Sequence, residues 1–198
     1  MPINIKLVCW TVSIFTCLTP RVIIPFSVVV SSWPDILQDK LVVTLAENLQ
    51  VVRSQLPKKA YMKITSGVRT LGDFNRLIKI GYRPSKTSDH NYGFAVPLSK
   101  NNKKFKIFGE TYNFAVGAAD TQAEGVDSTY LFTLSMKLVN EGKCNFGQVI
   151  YEKNPETGAI WVHYGNDPAL FYSEEIVKMI NRTRFLKSLD GGKTYSVV

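Results

Sequence analysis

Two apolar-rich runs, Gly147 to Glu152 and Ile160 to Tyr164, flank the segment Asn154-Pro155-Glu156-Thr157-Gly158. The flanks are rich in β-branched and aromatic residues, and the middle consists of turn formers, so the stretch predicts a β-hairpin. That one element constrains the rest of the chain. Alternation along the second arm places Trp161 and His163 on one face and Val162 on the other. An isolated hairpin is marginally stable in water, so further strands and a covering layer must come from elsewhere in the chain.

A covering helix is visible upstream. Leu37, Leu41, Leu45, Leu49 and Val52 recur at helical spacing between Ile36 and Gln55, which predicts an amphipathic helix with one buried face. Ser32-Trp33-Pro34-Asp35 reads as its start and Pro57 as its stop. Tyr61 to Ile64 alternates as a strand, and Gly72 to Ile80 reads as a short helix. Asp127 is placed to cap a helix through Leu138, with Gly142 just past its end. Ser173 is the expected cap of a last helix running to about Leu189, ended by Gly191-Gly192. The order of elements predicts an α+β fold: an antiparallel sheet with helices packed mainly on one side.

The chain has 198 residues and 45% hydrophobic residues, enough for one packed domain, here taken as residues 32–198. Residues 1–31 are read as an apolar N-terminal extension: either a signal or an anchor, through which membrane contact is possible, or neither, as extra packed structure or a poorly ordered extension. Pro20 and Arg21 interrupt its apolar run and make a simple membrane span expensive. The three cysteines, Cys9, Cys17 and Cys144, are too widely spaced for a zinc knuckle, and their odd number argues against a disulfide framework. A net charge of +8 draws the protein toward anionic polymers. The densest basic cluster, Lys100, Lys103, Lys104 and Lys106, alternates with aromatics and reads as a surface hairpin, so nucleic acid is not the expected partner.

Two histidines are present, His90 and His163. His90 lies in the polar stretch Ser88-Asp89-His90-Asn91-Tyr92-Gly93, whereas His163 lies on a strand beside Trp161, which gives its imidazole the fixed direction a metal ligand needs. Catalytic zinc sites use three protein ligands, commonly two His and one carboxylate, and leave one position for water. A second carboxylate must then act as base. Glu152 suits that role because the hairpin brings it back beside His163.

These elements resemble those of the zinc D-Ala-D-Ala carboxypeptidases and the related L-Ala-D-Glu endolysin peptidases, whose metal site is shared with the hedgehog signalling domain. The pattern there is a Ser-Gly-Tyr-Arg-like element, Ser-x-His-x-x-Gly-x-Ala-x-Asp, a Glu-bearing strand and Trp-x-His. Here Ser66-Gly67-Val68-Arg69, Ser88-Asp89-His90-Asn91-Tyr92-Gly93-Phe94-Ala95, Gln148 to Glu152 and Trp161-Val162-His163 follow in the same order. The resemblance covers roughly residues 35 to 170. It implies that His90 and His163 ligate zinc, that Arg69 holds substrate and that Glu152 is the general base. Ser88 and Tyr92 are further candidates for substrate contact, Ser88 equally as a loop cap.

One position departs from the pattern. Pro97 stands where the ligand Asp belongs and cannot coordinate a metal. Tyr92-Gly93-Phe94-Ala95-Val96 is echoed by Tyr112-Asn113-Phe114-Ala115-Val116, and the echo continues through Gly117-Ala118-Ala119-Asp120. Residues 97–116 are therefore read as an inserted hairpin and Asp120 as the third ligand, with Asp89 and Asp127 as rivals. The resulting expectation is a monomeric zinc metallopeptidase of peptidoglycan stem peptides, acting in the cell envelope, after export, or as a phage-encoded lytic enzyme. The competing expectation is a catalytically inactive wall-binding or structural homologue of the same fold.

Overall fold

A computed structural model describes residues 35–67, 69, 71–85, 88–91, 116–171, 174, 177–178 and 182–198. The expected extension at residues 1–31, nearly all of the expected hairpin with its Pro97, and Tyr92 lie outside the described residues. The chain is α+β, with a six-stranded mixed sheet and three named helices among the described residues. These are α1 (Asp35–Ser54), β1 (Tyr61–Ser66), α2 (Leu71–Lys79), β2 (Ala118–Glu124), α3 (Ser128–Asn140), β3 (Phe146–Lys153), β4 (Ile160–Asn166), β5 (Phe185–Ser188) and β6 (Ser196–Val197). The strand order is β1-β2-β4-β3-β5-β6. No helix among the described residues is long and apolar enough to cross a membrane.

The local signals produced the expected elements. The Asp127 side chain accepts from the Tyr130 N–H at 2.6 Å and caps α3, satisfying a donor that the first helical turn leaves unpaired. Gly142 takes φ +68° just after the helix, the left-handed conformation that glycine adopts without steric penalty. The β3–β4 hairpin forms as predicted and closes around Asn154, whose side chain accepts from the Glu156 and Thr157 amides.

The sheet has two unlike faces. Met62, Ile64, Ala119, Val149, Val162 and Tyr164 point to one of them and join Leu45, Leu49 and Val52 of α1 and Leu131, Phe132, Leu138 and Val139 of α3 in a single core. Among the polar groups admitted there, the Ser135 and Tyr164 hydroxyls lie 2.7 Å apart, and Ser135 also donates to the Leu131 carbonyl. Cys144 joins this core as a free thiol, which burial pushes up to about 11.

Two expectations need correction. The sheet is not wholly antiparallel, because β5 runs parallel to β3, pairing Val149 with Phe185 and Glu152 with Ser188. This strand also replaces the end of the expected last helix. Glu174, Val177 and Lys178 are helical, but Arg182 and Thr183 are not, and residues 185–188 are extended. Ser173, its expected cap, lies outside the described residues. The free edge of β3 supplies backbone partners, and Phe185 packs partly buried against the core, so tertiary pairing overrides local helical spacing.

Candidate metal centre

The face opposite the core carries the chemistry. Asp120 on β2 and His163 on β4 are directly opposed across the strand pair, so their side chains share a face. His163 is also opposed to Ile150 on β3, and Glu152 to Trp161, which makes Glu152 a diagonal neighbour of His163, about 7–8 Å away along the backbone. Alternation thus places Asp120, His163, Glu152 and Trp161 together while sending Val162 and Tyr164 into the core.

His90 reaches this face from a turn. The register of β1 against β2 shifts between Ile64 and Ser66, a bulge that bends the chain next to the site. The Thr65 hydroxyl donates to the Asp120 carbonyl at 3.2 Å beside this irregularity. Beyond it the Gly67 carbonyl accepts from His90 Nδ1 at 2.8 Å. The turn bearing His90 is tied at both ends. The His90 amide donates to the Ser88 hydroxyl, the Asn91 side chain donates to the Ser85 carbonyl at 2.7 Å, and the Arg69 amide donates to the His90 carbonyl at 2.6 Å.

Three atoms converge. His90 Nε2 lies 3.1 Å from Asp120 Oδ1 and 3.1 Å from His163 Nδ1, and His163 Nδ1 lies 3.0 Å from Asp120 Oδ1. A carbonyl can only accept, so the hydrogen on the neutral His90 ring sits at Nδ1 and Nε2 presents a lone pair. The carboxylate oxygen is likewise an acceptor. One proton among the three atoms leaves at least one acceptor facing another, and protonating both rings sets two like charges side by side. A divalent cation satisfies all three at once. The separations are slightly under the ~3.3 Å required by tetrahedral bonds of ~2.0–2.1 Å, so small side-chain adjustments suffice. The group His90, Asp120 and His163 can therefore hold a metal ion. Burial opposes ionisation of Asp120, but the two histidines outweigh it and hold the carboxyl well below the usual carboxylate range.

No protein-family model, curated protein or solved structure matches this chain.

The remaining candidates fall into place around the triad. Glu152 is buried, and that burial raises its carboxyl above the ordinary value, against the charge of His163. Ser88 acts as a cap of the His90 turn. Arg69 faces Asn91 Oδ1 at 3.4 Å and borders a cleft of about 570 Å³, which Ser66, Leu77, Tyr82 and Asp120 also line. Burial lowers the Arg69 pKa, and the charges of Asp120 and Asp73 oppose that shift. Among the rivals for the third ligand position, Asp127 caps α3 and Asp89 is ion-paired with Arg182. Trp161 sits half-buried on the site face beside Glu152, as the alternation with His163 predicts.

Four contributors escaped sequence reasoning. Asn91 is fully buried and braces the His90 turn. Arg182 forms an ion pair with Asp89 across a sequence separation of 93 residues, joining the His90 turn to the segment that leads into β5. A carboxylate next to a histidine in a polar stretch carried no signal that it would be buried. Gly165 belongs to the same arrangement, since a Cβ there would lie 3.0 Å from Asp89 Oδ2. Tyr195 donates to Glu152 Oε1 at 3.3 Å from the C-terminal turn.

Proposed function

We propose that this chain is a zinc-dependent metallopeptidase that hydrolyses peptide bonds in peptidoglycan stem peptides. The observation that carries the reading is the convergence of His90 Nε2, Asp120 Oδ1 and His163 Nδ1 on one point, with a buried carboxylate on the same face. Two histidines and one carboxylate are the donor set of a hydrolytic zinc site with one position open. The stem-peptide substrate rests on the resemblance of the four sequence elements and on the basic net charge, which suits an anionic wall.

Bound zinc supplies a Lewis acid for the scissile carbonyl and lowers the pKa of a water molecule toward neutrality. His90 is held to a single tautomer by Gly67, so it offers Nε2 and no competing proton. Glu152 takes the proton of the attacking water and delivers it to the leaving amine. Its raised pKa brings its proton affinity nearer that of the acidified water, which favours both transfers. Arg69, at the border of the cleft, offers a planar fork of donors to a peptide carboxylate or carbonyl.

The test is incubation of zinc-loaded protein with purified stem peptides, with products identified by mass spectrometry. Cleavage that disappears in Glu152→Gln, while zinc stays bound, is the expected result. Stoichiometric zinc without cleavage of any stem peptide overturns the reading, and retention of intact peptide in that case identifies a binding module.

A further inference from the structure

The C-terminal turn is built to a specification that the hydrophobic core does not require. Asp190 Oδ1 accepts from the Ser188 hydroxyl and from the amides of Lys193 and Thr194, and Asp190 Oδ2 accepts from the Thr194 hydroxyl at 2.6 Å. The Gly192 amide donates to the Ser188 hydroxyl at 2.9 Å, and the Gly191 amide to the Lys153 carbonyl at 2.9 Å. Ser188, at the base of the turn, is opposed to Glu152 in the β3–β5 register. Beyond the turn, β6 pairs with Leu186 and Lys187, so both ends are anchored.

The product of this construction is the direction of one side chain. Tyr195 is 49% exposed, yet its hydroxyl turns inward to Glu152 Oε1 at 3.3 Å. Partly exposed tyrosines ordinarily bury the ring and leave the polar tip wet. Here the arrangement is reversed, and the backbone makes room for it. Gly192 takes φ +81°, and a Cβ there would lie 3.0 Å from the Tyr195 oxygen and 3.9 Å from Glu152 Oε1. A side chain at position 192 would therefore crowd the hydrogen bond itself.

We infer that Tyr195 is a positioning residue for the general base, holding Glu152 Oε1 by a hydrogen bond delivered from the C-terminal turn. The inference rests on the peptidase reading only for the role of Glu152. A buried carboxylate without a fixed donor samples several rotamers, and a general base must stay within hydrogen-bond reach of its proton. The phenol supplies that constraint and favours the ionised carboxylate, because a donor to the charged form stabilises it.

Tyr195→Phe removes one oxygen and keeps the ring. In the zinc-loaded full-length chain we expect kcat on a stem peptide to fall about tenfold, with KM and zinc stoichiometry unchanged. The acidic limb of the pH profile should move to higher pH, since the lost hydrogen bond favoured the carboxylate. Unchanged kcat and a superimposable pH profile would overturn the inference. A readout without turnover separates it from the peptidase reading. Carbon-13 NMR of the Glu152 carboxyl should titrate at higher pH in Tyr195→Phe than in the unmodified chain, and coincident titrations refute the role of Tyr195 even where no peptide is cleaved. Absence of hydrolysis by the unmodified zinc-loaded chain, with the NMR shift present, defeats the peptidase reading alone.

Discussion

The two faces of the central sheet are made from the same strands and do opposite work. On one face Val149, Val162 and Tyr164 meet α1 and α3, and the Tyr164 hydroxyl is paired with that of Ser135. On the other, one residue out of step, Asp120, Glu152 and His163 gather acceptors that repel one another unless a cation or proton lies between them. The first face gains stability from apolar area removed from water. The second is assembled by turns and loops carrying His90, Arg182 and Tyr195, so its geometry depends on polar contacts between distant segments. Period-two alternation keeps the two tasks apart. A substitution on one face should therefore leave the other largely intact.

Arg182→Ala is the strongest challenge to that separation. It leaves the Asp89 carboxylate buried without its partner, at a cost of about 3–5 kcal/mol. Because Asp89 adjoins His90, metal affinity should fall along with stability, as denaturant unfolding and a metal titration will report. A loss of stability with unchanged metal affinity would show that the His90 turn stands without the ion pair.

Leu131→Ala probes the core face alone. Leu131 is fully buried in α3, and its truncation should cost about 2–5 kcal/mol. The protein that remains folded should bind metal with unchanged stoichiometry. Loss of binding at temperatures where the chain is still folded would break the division between the faces.

Glu152→Gln should have the smallest effect on stability, and in the opposite direction. Burial raises the Glu152 carboxyl above its unfolded value, so the folded state holds its proton more tightly. Between the two pKa values the folded state binds more protons, and stability falls as pH rises through that window. The glutamine variant escapes this penalty. It should melt slightly higher than the unmodified chain at neutral pH, and the difference should shrink as pH falls below the ordinary carboxylate range. Equal melting temperatures at every pH would mean that burial of Glu152 carries no penalty.

What was legible in the sequence follows the range of the interactions. α1, α3 with its Asp127 cap, and the β3–β4 hairpin are written in neighbouring residues, and each forms close to its expected limits. The third member of the group that can hold a metal ion was legible because Asp120 closes an echo of the His90 segment. β5 was not: Phe185-Leu186-Lys187-Ser188 becomes a strand only because β3 has a free edge, a partner more than thirty residues earlier. The Asp89–Arg182 pair and the Tyr195–Glu152 hydrogen bond are likewise non-local.

The central claim is that three side chains from separate parts of the chain form one metal site. Its most direct test is zinc titration, with X-ray absorption of the zinc edge, on the unmodified chain and on Asp120→Ala. One zinc per chain is expected, bound by two imidazole nitrogens and a carboxylate oxygen at ~2.0–2.2 Å. Asp120→Ala should weaken binding by about a hundredfold or more, beyond the effect of losing an outer contact. Absence of stoichiometric zinc, or equal affinity in Asp120→Ala, would contradict the account.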